Sequence, residues 1–219
     1  MVFGRLAFLG VFFIIFLSRL GFATPGEPIS QRLVDGGVTL YQAARQAGVP
    51  QRPLDLALAY FDLHKDQFSN QDYITLIDYR LHSVNERFFL IDLKSGAVTK
   101  ELTAHGKGSD PEHDGFAKKF SNVSGSYATS LGFYQVSEAY VGDHGLSVRL
   151  DGLSAELNSN ARDRAIVIHG AEYVDPTRPI MGRSLGCPAL QQSHSNDIVE
   201  KIKNGSLLFI YHTAYEKPQ

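Results

Sequence analysis

The sequence predicts a mainly β domain that follows a short helical segment. The first observation behind this prediction is a change of hydrophobic period near residue 72. Before this point apolar residues recur every three or four positions, and after it come runs of β-branched and aromatic residues bounded by turn residues. The second observation is composition: 43% of the 219 residues are hydrophobic and the formal net charge is only -2. This length and composition suit one domain with a small appendage.

Two helices are predicted in the segment before the β domain. Residues 37–48 form a short helix that Gly48 ends, and residues 53–68 form a longer helix that Pro53 can open. The longer helix has a largely apolar face, which predicts packing against a core and not a binding site for a cofactor. The residues on this face are Leu54, Leu58, Phe61, Lys65 and Phe68.

The β domain is predicted to contain one clear helix near its end, residues 193–205. A serine or Asn196 can cap its start, and Asn204 and Gly205 supply its stop. The other regular segments alternate or are rich in β-branched and aromatic residues, so they are predicted as mostly antiparallel strands. The predicted strands are residues 72–79, 87–93, 97–106, 130–136, 146–152, 164–170 and 206–213.

The amino terminus has the pattern of a secretory signal peptide. Residues 6–17 are an unbroken apolar run after a short basic start, and residues 21–23, Gly-Phe-Ala, offer small residues where a signal peptidase reads. We expect cleavage after Ala23. The alternative is an uncleaved anchor, but the run is shorter than the roughly 20 apolar residues that span a bilayer, and Arg19 interrupts it.

The predicted organisation is therefore a signal peptide at residues 1–23, a helical segment at 24–71 and a β domain at 72–219. After cleavage we expect a secreted or periplasmic monomer with no stable membrane anchor. The chain has no basic block, which argues against nucleic acid as a partner.

Cys187 is the only cysteine, and it lies in the turn-like stretch "RSLGCPAL", residues 183–190. In an oxidising compartment a single cysteine forms an intermolecular bridge, remains as a buried inert thiol, or acts as a nucleophile. His169 ends a predicted strand upstream, and an imidazole can take the proton of a thiol. Gly186 would let backbone amides approach a developing oxyanion. Spacing alone leaves a catalytic pair and two ordinary structural residues equally open.

A long loop, residues 105–127, separates the third and fourth predicted strands. Its acidic and histidine residues match no closed set of metal ligands, so we predict no metal site. We interpret the segment as a solvated, mobile loop near a cleft. The residues considered as ligands are His105, Asp110, Glu112, His113 and Asp114.

The sequence resembles the L,D-transpeptidases, the YkuD-type enzymes that remodel peptidoglycan. The resemblance lies in "IVIHG" at residues 166–170 followed by Ser-x-Gly-Cys at residues 184–187. It extends over residues 72–213, including "SLGFYQV" at residues 130–136, and to a closing helix and strand in residues 196–211. The resemblance implies a β-sandwich or barrel for this region, with the helical segment preceding it.

The motif departs from the usual family pattern at two places. Leu185 stands where a second histidine is usual, and Pro188-Ala189 replaces an apolar residue followed by Arg or Asn. In this it resembles a divergent murein L,D-transpeptidase branch that carries Ser-x-Gly-Cys-Pro. The loss of Arg or Asn removes the usual contact that orients the substrate. Arg183 is the candidate replacement, and an ordinary surface charge is the alternative.

The resemblance implies an acyltransferase mechanism that needs no metal and no organic cofactor. Cys187 would attack the carbonyl of the third stem-peptide residue and release D-Ala, leaving a thioester. His169 would act as the base, Ser184 would orient His169 through its carbonyl or hydroxyl, and the amides of Gly186 and Cys187 would form the oxyanion hole. An adjacent His169 would also depress the pKa of the Cys187 thiol, so we expect rapid alkylation.

The resemblance also implies partners and residues that bind them. A second stem peptide would accept the acyl group through its side-chain amine, giving a 3→3 cross-link in cell wall biogenesis, and carbapenem-type inhibitors would acylate the same thiol. For the weaker candidates among the binding residues, packing or a surface position is the alternative, and His144 either faces the site or only forms a turn. The candidate substrate-binding residues are Gly170, Arg183, Tyr134, His144, Arg149 and Tyr173.

Two other functions remain open at this point. With water as the acceptor, the same Cys-His site is an L,D-carboxypeptidase or another hydrolase of wall peptides. A protein that kept the fold and lost activity would be a non-catalytic peptidoglycan-binding protein, which the altered residues around Cys187 favour. The order of histidine before cysteine argues against papain-like peptidases, and the absence of an Arg after Cys187 argues against sortases.

Overall fold

The computed structural model describes residues 26–217, so the predicted signal peptide lies outside the described residues. Within that range, nine strands form one sheet. The strands are β1 (Tyr73–Asp78), β2 (Phe88–Asp92), β3 (Val98–Glu101), β4 (Thr103–Ala104), β5 (Gly132–Gly142), β6 (Gly145–Gly152), β7 (Val167–Ala171), β8 (Ala189–Gln191) and β9 (Ser206–Tyr211).

The sheet has the strand order β3-β2-β1-β9-β5-β6-β7-β8-β4. Two neighbouring pairs, β1–β9 and β7–β8, are parallel, and the others are antiparallel. Only Leu102 separates β3 from β4, although these strands lie at opposite ends of the order. The sheet is therefore a nearly closed barrel or sandwich, which confirms the predicted fold class. The segment predicted as one strand, residues 97–106, is divided because its two halves pair at opposite edges.

The helices are α1 (Leu40–Gln46), α2 (Gln51–His64), α3 (Ala155–Asn158) and α4 (Gln192–Ile202), with short 3-10 helices at Ile29–Gln31, Lys65–Gln67 and Thr213–Glu216. None of the helices within residues 26–217 is long and apolar enough to cross a membrane. Two predicted starts are wrong. Pro50 and not Pro53 precedes α2, and α4 begins at Gln192 without a side-chain cap.

The apolar face of α2 packs against the sheet as predicted. Leu54 and Phe61 belong to one buried cluster with Ile74 of β1 and Phe209 of β9. Burying such side chains stabilises the fold by roughly 1.5–3 kcal/mol each. The helical segment and the sheet therefore share a core, and the domain boundary between residues 71 and 72 remains a prediction.

The interpretation of residues 105–127 as a solvated loop is wrong for its first part. His105 and Asp110 are buried beside Arg87, which is itself fully buried. Arg87 donates to His105 Nδ1 at 2.8 Å, and His105 Nε2 lies 3.3 Å from Asp110 Oδ2. Burial and the neighbouring guanidinium lower the pKa of His105 to about 4. A neutral His105 thus links a buried cation to a carboxylate and fixes this segment against the barrel.

Candidate active site

A cavity of about 460 Å³ lies where the β5–β6 hairpin, the start of β7 and the turn around Cys187 meet. It collects both members of the predicted catalytic pair and several of the predicted binding residues. Its lining contains two arginines and two histidines and no aspartate or glutamate. The lining residues are Tyr140, His144, Arg164, Ala165, Val167, His169, Tyr173, Arg183, Ser184, Leu185 and Cys187.

Three predicted binding residues, Tyr134, Arg149 and Gly170, do not line this cavity. Tyr134 is fully buried in the core, where its hydroxyl lies 2.8 Å from the Ser130 hydroxyl. Arg149 lies over the ring of Tyr140, 4.4 Å from its centroid, and pairs with Glu138. The predictions for Tyr134 and Arg149 are wrong, because Tyr134 lies in the core and Arg149 is held by Tyr140 and Glu138.

Gly170 lines a neighbouring cavity of about 450 Å³ together with His144 and Tyr173. The sequence analysis missed Tyr140 and Arg164 as lining residues of the main cavity. Neither carries a motif, so no signal in the sequence distinguished them.

The turn that carries Cys187 is fixed by the segment containing His105. The Ser184 amide donates to the His105 carbonyl at 2.9 Å, and the Lys107 amide donates to the Ser184 carbonyl at 2.8 Å. The Ser184 hydroxyl donates to the Cys187 carbonyl at 2.6 Å. Backbone pairing and this hydroxyl together fix the turn that carries Cys187.

The predicted role of Ser184 in orienting His169 is wrong. Its hydroxyl and its carbonyl are already bonded to Cys187 and Lys107. Instead, His169 Nδ1 lies 2.8 Å from the Gly170 carbonyl oxygen. A carbonyl oxygen only accepts, so Nδ1 carries the proton and Nε2 remains the basic nitrogen.

Gly186 is held in a backbone conformation that other residues rarely adopt. Its φ is 129°, and a Cβ there would lie 3.0 Å from Ile166 Cδ1 and 3.1 Å from the Ala128 carbonyl oxygen. Its amide donates to the Ser184 hydroxyl at 3.1 Å, so the expectation of a free oxyanion donor at Gly186 is wrong. Within residues 26–217, the Cys187 amide makes no hydrogen bond and is the available donor.

Replacing Gly186 by alanine should lower the free energy of unfolding by about 1–3 kcal/mol for the strained backbone position, and by more than the control variant loses, because the added Cβ also crowds Ile166 and Ala128. The same change should displace Cys187 and slow its acylation. Denaturant unfolding checks the first effect. Gly125→Ala is the matched control, because φ there is 76° and nothing lies within 4 Å of the added Cβ. Equal losses in both variants would show that the packing around Gly186 is unimportant.

Burial governs the protonation of both members of the pair. It raises the pKa of the Cys187 thiol above its ordinary value, although the Val167 amide and Arg164 act in the opposite direction. Burial also lowers the pKa of His169, with His144 adding to the effect and the Gly170 carbonyl opposing it. The predicted depression of the thiol pKa is therefore wrong. The pair rests as a neutral thiol and a neutral imidazole.

Alkylation of Cys187 by iodoacetamide at pH 7 should be slower than that of a free thiol. Only the thiolate reacts, and a raised pKa reduces its fraction at any pH below that pKa. The rate of alkylation should rise with pH until the pH exceeds the raised pKa of the Cys187 thiol. Mass spectrometry of samples quenched across a pH series checks this, with glutathione as the reference thiol. A rate that is already maximal at pH 7 would contradict the burial argument.

A family model for the L,D-transpeptidase catalytic domain matches residues 45–211, which is most of the chain. No curated protein matches the chain significantly.

Several solved structures are similar at low identity. An L,D-transpeptidase from Mycobacterium smegmatis is 11% identical, with a TM-score of 0.42, and the match covers 64% of this chain and 59% of that one. L,D-transpeptidase 3 from Mycobacterium tuberculosis is 13% identical, with a TM-score of 0.42 and coverage of 64% and 61%. An L,D-transpeptidase from Xylanimonas cellulosilytica is 18% identical, with a TM-score of 0.40 and coverage of 80% and 72%. The chain thus spans about three fifths of the two mycobacterial proteins. On the match of the family model, this chain belongs to the L,D-transpeptidase catalytic domain family.

Proposed function

We propose that the protein is a cysteine L,D-transpeptidase that acts on peptidoglycan stem peptides. The observation that carries the proposal is that Cys187 and His169 line one cavity in a chain of this family. The neutral state of both groups also supports it, because His169 is then free to accept the thiol proton at neutral pH.

Acylation begins when the Cys187 sulfur attacks the carbonyl carbon between the third stem residue and D-Ala. His169 Nε2 takes the thiol proton as the sulfur–carbon bond forms, so no buried thiolate has to exist beforehand. The Cys187 amide donates to the oxygen that becomes negative. The carbon–nitrogen bond then breaks and His169 returns the proton to the leaving amine. D-Ala departs, and the acyl group remains on Cys187 as a thioester.

The second half-reaction decides the product. A side-chain amine of another stem peptide attacks the thioester, gives its proton to His169, and leaves a 3→3 cross-link with the thiol restored. Water in the same position gives a shortened stem peptide, which is the L,D-carboxypeptidase alternative. A protein that binds the stem peptide without forming the thioester is the non-catalytic alternative.

Arg183 is the candidate for the substrate contact that the motif lacks. One nitrogen of its guanidinium donates to the Asp110 carbonyl, and the others make no hydrogen bond within residues 26–217. Arg164, the other arginine of the cavity, is occupied by oxygens of four residues. The free edge of Arg183 suits a carboxylate, which a guanidinium binds through two parallel hydrogen bonds.

We also propose that the protein acts outside the inner membrane after cleavage of the signal peptide. The apolar run at residues 6–17 and the small residues at 21–23 support this location. Peptidoglycan lies in the same compartment.

Product analysis on defined muropeptides tests the proposed function. The purified protein is incubated with a disaccharide-tetrapeptide, and the products are separated and identified by mass spectrometry. A 3→3 cross-linked dimer together with free D-Ala supports the transpeptidase. Disaccharide-tripeptide and D-Ala alone would favour the carboxypeptidase, and an unchanged substrate would favour the wall-binding protein.

A further inference from the structure

The tip of the β5–β6 hairpin brings a second histidine onto the proposed base. Gly142 pairs with Gly145, so Asp143 and His144 form a two-residue turn. Val148 of β6 lies opposite Ile168 of β7 in an antiparallel register. This register directs the tip toward the carboxyl-terminal half of β7, beside His169 in the middle of the strand.

The two imidazole rings stack on each other. The ring centroids of His144 and His169 are 4.3 Å apart, and their planes differ by 22°. His144 is exposed, whereas His169 is only 3% exposed. Within the described residues, the ring nitrogens of His144 make no hydrogen bond, so the stack is the contact through which its side chain acts.

We propose that His144 is a positioning residue that covers one face of the His169 imidazole and holds it buried and oriented. This inference rests on the proposed function, because it assigns His144 to the base of that reaction. The His169 ring is then fixed in two ways. The bond from Nδ1 to the Gly170 carbonyl selects the tautomer, and the His144 ring restricts rotation and excludes water from one face.

The cover keeps His169 neutral, which is the form that accepts a proton. Burial is the main reason that the pKa of His169 is lowered, and the electrostatic effect of the neighbouring His144 adds to it. The cavity around the pair contains no carboxylate, although two acidic residues lie near the hairpin side. The titratable groups that line the cavity are His144, Arg164, Tyr173, Arg183 and Cys187, and those of the adjacent cavity are Asp143 and Glu172.

Three variants separate a positioning role from other roles. His144→Ala removes the covering ring, His144→Phe keeps a flat ring without a titratable group, and His194→Ala removes a histidine whose Nδ1 bonds Glu101 outside the cavity. Two properties are measured for each variant. One is the titration of His169, followed by imidazole ¹H–¹⁵N NMR and assigned with His169→Ala. The other is the rate of carbapenem acylation from pH 5 to pH 8.

In His144→Ala we expect the pKa of His169 to rise toward the ordinary range of a solvated histidine. The acidic limb of the acylation profile should move to higher pH with it, because a protonated His169 cannot accept the thiol proton. At the plateau, lost orientation should slow acylation by about tenfold, within the range known for misplaced catalytic groups. His144→Phe should recover most of the rate and the low pKa, and His194→Ala should match the wild type.

Two outcomes would overturn the inference. If His144→Ala leaves both the His169 titration and the acylation profile unchanged, the stack has no role. If His144→Ala lowers the plateau by about two to four orders of magnitude, the size of a general-base effect, His144 is itself the base. The NMR titration does not depend on acylation, so it tests the stack even if the wild-type protein proves inactive and the proposed function fails.

Discussion

Cys187→Ser should abolish the covalent adduct that a carbapenem forms with the wild-type protein. The strained carbonyl of the drug resembles the scissile amide, so it meets the same nucleophile and the same oxyanion donor. A serine hydroxyl is a far weaker nucleophile because its pKa is much higher. Burial at this position disfavours an anion further. Intact-protein mass spectrometry near neutral pH should show one adduct on the wild type and none on the variant.

The control for this prediction is the thermal unfolding of the variant, which should stay close to that of the wild type, since sulfur and oxygen differ little in size. Peptide mapping of the wild-type adduct should place it on Cys187. An adduct of equal yield on the variant would show that another side chain of the cavity, such as Ser184 or Tyr173, is the nucleophile.

His169→Ala should lower the rate of acylation by about two to four orders of magnitude, the range of general acid–base catalysis. The reason is the neutral thiol: its raised pKa leaves too little thiolate at neutral pH, so the reaction needs a base in the same step. The rate of adduct formation, measured by quenched mass spectrometry, checks this effect.

His194→Ala is the matched control for the loss of a histidine, and it should retain the wild-type rate. The rate of His169→Ala should also recover at high pH, where the thiol ionises without help. A rate within a few-fold of the wild type at pH 7 would show that His169 is not the base.

Much of the fold could be predicted from local patterns. The runs that became β1, β2 and β9 each carry enough β-branched and aromatic residues to specify a strand. The end of α4 could also be predicted, because Asn204 and Gly205 are residue types that adopt positive φ, and their φ values are 63° and 103°. Hydrophobic period and turn chemistry act within a few residues, so a sequence shows them directly.

Features that depend on distant partners could not be predicted. The division of residues 97–106 depends on which edge each half pairs with, and the burial of His105 depends on Arg87, which directly precedes β2. Tyr134 was assigned to the cleft because its strand belongs to the family resemblance, but its side chain is fully buried in the core, where its hydroxyl bonds Ser130.

The candidate site also has features that the sequence predicts and features that it does not predict. Cys187 and His169 could be named from a motif, because the chemistry needs those two residue types. Their protonation states could not be predicted from the sequence, because they follow from burial, which only the folded structure defines. The stack of His144 on His169 depends on the register of β6 with β7, and the bond from His169 to the Gly170 carbonyl replaced the expected contact with Ser184.

The proposed function requires Cys187 to take the acyl group of a stem peptide and to release D-Ala. Its most direct test is to mix the protein with a tetrapeptide donor in the absence of an amine acceptor, quench in acid, and measure the intact mass and the free D-Ala. We expect a mass gain equal to the donor minus D-Ala, located on Cys187 and absent from Cys187→Ser, with an equal amount of D-Ala released. An unchanged mass and no D-Ala, while the donor binds to the protein, would contradict it.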